Sequence, residues 1–178
     1  SIAKRRAALL EEIAPLLQHY YEKLSMGREK VALHYETEAL RVDFPEYFLR
    51  LRQKDFVTKN SNAGIHKDDF EFQIDGHPLR KLGSQGQQKS FIIALKLAQF
   101  ALYEKAKGEK PLLLLDDIFD KLDEERIGML MQLVSQGNFG QLFITDARPE
   151  RSKEILSRLD AEVAFFYLEN GQVLSSET

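Results

Sequence analysis

The 178-residue chain has no cysteine, which excludes disulfide scaffolds and thiolate metal sites and makes a reducing cytoplasm the expected setting. Its four histidines are scattered without paired spacing, so a zinc centre has no candidate ligand set. No apolar run approaches the roughly 20 residues of a membrane-spanning helix. None of the ten glycines is followed by lysine, so the G-x-x-x-x-G-K-S/T loop that cradles nucleotide phosphates is absent. Excess positive charge is also lacking, with a formal net charge of −3, although a local basic patch can bind phosphates whatever the total.

What is present is an ordinary globular composition, 43% hydrophobic and 30% charged. Apolar residues recur at helical spacing from Ile2 to about Ser25, giving one helix or two divided at Pro15. KVALHYETE (30–38) alternates and predicts a half-exposed strand, and Pro45 begins a second helix running to about Asn60. NSNAG (60–64) marks a turn and the expected domain boundary, separating residues 1–62 from 63–178. Beyond it come a strand at 70–74, an Asp75-Gly76 turn, and a long helix from Gly83 to Ala106. A strand at 112–115, a helix around Ile127 to Val134 and a strand at 141–145 follow. A short helix, a strand at 163–168 and an Asn170-Gly171 hairpin turn complete the series. Strand–helix–strand alternation predicts an α/β fold with a mostly parallel sheet and flanking helices.

Three stretches can carry chemistry. GSQGQQKS (83–90) opens the long helix with two glycines, a hydroxyl and amides. Its free N–H groups and dipole suit a phosphate, while Ser84 with Gln87 three residues on also makes a capping box; the two readings are compatible. KPLLLLDDIFDKLD (110–123) runs four leucines into Asp116-Asp117. A run of this kind suits a strand covered on both faces. Acids at the end of such a strand suit magnesium (Asp116) and the positioning of an attacking water (Asp117); strand-end caps are the alternative. Asp123 doubles as an N-cap for the following helix. The third stretch, FITD (143–146), ends a strand in a polar pair. Arg50, Lys54 and, more loosely, Lys59 share a helical segment whose neighbourhood, 41–67, holds six basic residues against three acids. That face suits backbone phosphates or simply water. Phe44, Tyr47 and Phe48 suit a lobe core.

In this order, the G-S-x-G-Q helix start, the leucine-run strand ending in Asp-Asp, the Leu122-Asp123 turn and the strand ending in Thr-Asp resemble an ABC-type ATPase. They match its C-terminal half: signature motif, Walker B, D-loop and switch. Gly64-Ile65-His66-Lys67-Asp68-Asp69 resembles the G-x-H-[R/K]-D-D segment of the RecF family, and GSQGQQ resembles that family's signature. The resemblance covers roughly 64–160 with specific motifs; residues 1–60 resemble only in kind the helical arm lobe inserted in that family's head.

This resemblance implies the C-terminal part of an ABC-type ATPase head, with a small arm lobe and with the phosphate-binding loop supplied by sequence outside this chain. It implies that Ser84, Gln85, Gly86, Gln87 and Asp123 lie on ATP across a dimer. Asp116 would serve Mg2+ and Asp117 the attack, in the place of the more usual Glu. Asp146 would stand at the switch, where many relatives carry His. The implied function is DNA replication and recombinational repair by an ATP-dependent clamp or loader at single-strand gaps. Hydrolysis would be slow and stimulated by DNA, with RecO- and RecR-type mediators and a second copy as partners, and this chain alone would be inactive. SMC-like repair heads share the motifs, but no sustained heptads appear here. A non-catalytic DNA- or protein-interaction module is the rival of another class.

Overall fold

The computed structural model describes residues 1–117, 119, 122–135, 140–159 and 161–177. Two compact units divide the chain, Ser1–Glu109 and Lys110–Thr178. The boundary expected at 62/63 lies inside the first unit, because the strand that follows it pairs back onto the strand that precedes it.

In the first unit, α1 (Ile2–Ser25) runs through Pro15 as one helix. β1 (Val31–Glu36), β2 (Asp69–Ile74) and β3 (His77–Pro78) form an antiparallel sheet in the order β1-β2-β3. Its register pairs Val31 with Ile74 and Glu36 with Asp69. Between β1 and β2 the chain forms α2 (Phe44–Thr58), which buries none of its residues. Phe48, expected in a core, is 43% exposed and meets the ring of Phe44 on its own helix at 6.0 Å. Phe44 and Tyr47 are half-buried, with the Arg41 guanidinium 4.8 Å over the Tyr47 ring. After β3 come α3 (Leu79–Leu82), a single turn that the sequence did not signal, and α4 (Gln85–Lys107). α4 buries Phe91, Ala94, Leu97 and Ala98, the i, i+3, i+6, i+7 stripe of an amphipathic helix. It packs along α1, whose buried face includes Leu17, Tyr21 and Leu24.

In the second unit, β4 (Leu112–Leu115) and β5 (Gln141–Ile144) pair in parallel, with Leu112 opposite Gln141 and Leu115 opposite Ile144. α5 (Glu124–Ser135) crosses between them in sequence and buries Ile127, Leu130, Met131 and Val134. α6 (Pro149–Leu156) follows β5. β6 (Phe165–Glu169) pairs antiparallel with β7 (Gln172–Glu177), so the parallel sheet of the described residues contains two strands rather than the three that the alternation suggested. Asn170 and Gly171, both with positive φ, make the tight turn that directs β6 into this hairpin.

The leucine run departs from the expected two-faced burial. Leu113 and Leu115 are buried, whereas Leu112 is 58% and Leu114 67% exposed, with Phe143 of β5 exposed as well. Side chains alternate across a strand, so among the described residues the Leu113 and Leu115 face is buried and the Leu112 and Leu114 face is not.

Candidate nucleotide-binding elements

The start of α4 is built by its own sequence. Ser84 takes an extended backbone, its hydroxyl accepts from the N–H of Gln87 at 3.2 Å, and the Gln87 side chain accepts from the N–H of Ser84 at 2.7 Å. This is the capping box anticipated from S-x-x-Q. It satisfies two donors while leaving the hydroxyl proton of Ser84 and the first-turn N–H groups of Gln85 and Gly86 at the helix's positive end. Gln88 adds a bond from its side-chain nitrogen to the Gly83 carbonyl at 2.9 Å. Gly83 is dictated by packing: a Cβ there would lie 2.6 Å from the Leu79 carbonyl oxygen. Sequence reasoning missed Glu29, which accepts from the Gln87 side-chain nitrogen at 2.9 Å and from the Tyr21 hydroxyl at 2.5 Å.

The 64–69 segment is anchored by Asp68, whose side chain is 2% exposed. It accepts from Arg6 at 2.8 Å, from Thr37 at 2.7 Å, and from the hydroxyl of Tyr35. Arg6 also donates to the Ile65 carbonyl at 3.0 Å. Burial alone pushes the Asp68 carboxyl upward, but the hydrogen bonds from Tyr35, Thr37 and Arg6 outweigh it and hold the group below the usual aspartate value. His66 bonds the Ser61 carbonyl at 3.0 Å.

In the second unit, Asp116 and Asp117 are exposed just past the C-terminal end of β4. Thr145 is their organiser. Its N–H continues the ladder to the Leu115 carbonyl at 3.0 Å, its hydroxyl donates to Asp116 at 2.5 Å, and the same oxygen accepts from the N–H of Asp117 at 3.2 Å. Asp117 has φ 48°, a left-handed conformation that aspartate tolerates better than most residues. Asp146 follows Thr145 and accepts from Ser152 of α6 at 2.7 Å; its second carboxylate oxygen is buried with no partner among the described residues. Asp123 accepts from the N–H of Arg126 at 2.8 Å, with the guanidinium 3.4 Å from its other oxygen, so it caps α5 as its position predicted.

The structure thus brings Asp116, Asp117 and Thr145 together at one sheet edge, with Asp146 next in the chain, and groups Ser84, Gln85, Gly86 and Gln87 at one helix start. Arg50, Lys54 and Lys59 are exposed on or just after α2, with Arg50 3.4 Å from Asp43. Among the described residues no cluster of three or more His, Asp or Glu side chains could hold a metal alone. The Asp116 carboxylate beside the Thr145 hydroxyl is a hard-oxygen donor of the kind magnesium takes, since magnesium binds through one or two carboxylates and completes its shell with phosphate and water.

No family model matches the chain. Curated relatives do. The DNA replication and repair protein RecF of Cytophaga hutchinsonii is 45% identical over 175 residues, 98% of this chain and 46% of that protein. RecF of Flavobacterium johnsoniae is 44% identical over 168 residues, 94% of this chain and 47% of that protein. The chain therefore spans about half the length of the curated relatives it matches. Among solved structures, the recombination mediator protein RecF with ATP superposes with a TM-score of 0.73 at 23% identity, over 97% of this chain and 47% of that one. An SMC ATPase, studied for ATP-driven dimerisation, gives 0.58 at 15% over 98% of this chain and 89% of that one. At these identities the structures establish the fold alone, an α/β arrangement shared with part of the RecF chain and with the SMC chain.

Proposed function

We propose, from the premise that this chain belongs to the RecF family and corresponds to the C-terminal part of its members, that it supplies one half of a composite ATPase site for DNA replication and repair. The observation that carries the proposal is the Asp116–Thr145–Asp117 arrangement at the C-terminal ends of two paired parallel strands, where α/β sheets gather their ligands. Thr145 holds one oxygen of Asp116 and leaves the carboxylate directed as a hard-oxygen ligand. Bound magnesium would supply charge neutralisation on the nucleotide phosphates. Asp117 is the acid suited to orient and deprotonate an attacking water. Ser84, Gln85, Gly86 and Gln87 would offer donors to a γ-phosphate held by a second copy of the whole protein, and the contact of Asp123 with that nucleotide rests on the family resemblance alone. Asp146, which accepts from Ser152, would stand at the switch position.

In the whole protein, ATP would close two subunits over duplex DNA near single-strand gaps, and hydrolysis would release them. Arg50, Lys54 and Lys59 would contact the DNA backbone, and RecO- and RecR-type mediators would be the protein partners. The chain by itself lacks a Gly-Lys phosphate loop and is expected to show no turnover. The test is Asp117→Asn in the full-length protein. Asparagine preserves the shape and tolerates the left-handed backbone, so ATP binding should persist while hydrolysis falls by roughly 100-fold or more. An unchanged hydrolysis rate would remove Asp117 from the chemistry.

A further inference from the structure

The side-chain amide of Gln87 is committed at both ends. Its oxygen accepts from the Ser84 N–H at 2.7 Å, and its nitrogen donates to Glu29 at 2.9 Å. The other Glu29 oxygen accepts from the Tyr21 hydroxyl at 2.5 Å. Tyr21 is fully buried on α1, with its ring 6.4 Å from that of Phe91 on α4. A chain of bonds therefore runs from the packed α1–α4 interface, through a residue between α1 and β1, to the first turn of α4. Fifty-eight residues separate Glu29 from Gln87, so this contact belongs to the tertiary fold and not to the local cap.

The geometry has a chemical consequence. If the Gln87 side chain turned away, Ser84 would lose the acceptor for its N–H. The N-cap backbone that carries the Ser84 hydroxyl would then keep only one of its two restraints, the bond from the Gln87 backbone N–H to the hydroxyl oxygen. With the side chain held, both restraints act on the N-cap, and the Ser84 proton is directed away from the bond its oxygen accepts. Donors fixed before a ligand arrives bind it without the cost of being ordered. The Glu29 carboxylate is engaged by two donors, which moderates its repulsion of an incoming anion.

We propose that Glu29 is a positioning residue for the 84–87 helix start, holding Gln87 with Tyr21 as its brace, so that the Ser84 hydroxyl and first-turn N–H groups stand ready for a phosphate. This rests on the reading of residues 84–87 as the contacts to a partner-held nucleotide, and it adds a residue that no motif in the sequence marks.

The test uses the full-length protein with a slowly hydrolysed ATP analogue, measuring nucleotide-dependent dimerisation by sedimentation, nucleotide affinity per subunit, and melting temperature. Glu29→Ala should weaken nucleotide-dependent dimerisation about tenfold, the scale of one lost charge-assisted hydrogen bond, with nucleotide affinity per subunit within about twofold of wild type. Glu29→Gln keeps an acceptor for Gln87 and should recover most of the loss. Tyr21→Phe, which removes only the brace, should weaken dimerisation about threefold and decides the matter if Glu29→Ala fails to fold. Ser84→Ala separates the two layers of inference. If Ser84→Ala impairs dimerisation but the Glu29 and Tyr21 variants do not, the positioning role is overturned and the phosphate reading stands. If none of them matters, the phosphate reading fails beneath it. A Glu29→Ala protein that loses stability and per-subunit affinity in proportion, without rescue by glutamine, also overturns positioning.

Discussion

Replacing Asp68 with asparagine should destabilise the first unit by taking an acceptor out of a buried cluster of donors. The carboxylate is almost wholly enclosed and accepts three hydrogen bonds, from Arg6, Thr37 and Tyr35. Asparagine presents one oxygen in place of two and directs an N–H2 group at donors, so at least one of the three is left without an acceptor. A buried donor stripped of its partner costs about 1–3 kcal/mol, and breaking a buried charged pair about 3–5 kcal/mol. Arg6 can retreat to water, since its side chain is 37% exposed, which places the expected loss at roughly 2–3 kcal/mol. Urea unfolding followed by circular dichroism gives the magnitude, and hydrogen exchange over α1 and 64–69 localises it. The pH dependence has a defined sign. The Asp68 carboxyl is held below its usual value in the folded chain, so its contribution is complete above the unfolded pKa of about 3.9 and disappears as pH falls through the folded pKa. The gap between wild type and Asp68→Asn should therefore be full at neutral pH and narrow only in acid below about pH 4. A neutral-pH loss under about 1 kcal/mol, or a gap that persists unchanged in strong acid, would refute this account of the anchor.

Gly83→Ala should cost about 1–3 kcal/mol in thermal or urea unfolding, because its Cβ would meet the Leu79 carbonyl oxygen at 2.6 Å and backbone must shift. Ser84→Ala removes the α4 cap and should cost about 1 kcal/mol in the isolated chain; no change in its unfolding midpoint would contradict the capping geometry. Thr145→Val keeps the shape of the β5 end but removes the hydroxyl joining Asp116 to the Asp117 N–H. In the full-length protein it should raise the magnesium concentration needed for half-maximal ATPase activity roughly tenfold, and an unaltered magnesium dependence would mean that Asp116 needs no such support.

Local chemistry made much of this molecule legible from its sequence. Ser84 and Gln87 announce the capping box at their spacing, Asp123 announces its cap on α5, and Asn170-Gly171 announces the hairpin, because each rests on contacts within a few residues. The α5 stripe of Ile127, Leu130, Met131 and Val134 was equally clear from its period. What escaped was long-range or depended on neighbours. Glu29 is an ordinary acid in sequence and Asp68 stands out there only as part of the 64–69 motif; the pairing of β1 with β2 and the packing of α1 bring donors to them. The four leucines of β4 suggested burial on both faces, yet periodicity cannot say how many layers flank a strand. The division at 62/63 followed a turn-rich stretch, whereas the compact units follow the β1–β2 pairing that spans it.

The left-handed backbone of Asp117 has a consequence for which residues that position accepts. Short polar side chains settle there because they can bond locally to their own backbone; a longer acid such as glutamate has no such compensation and would add conformational strain of roughly 1 kcal/mol. The shape of the chain after β4 thus acts as a filter on side-chain length. Aspartate at this position is then a choice made by the peptide backbone as well as by the reaction it is proposed to serve.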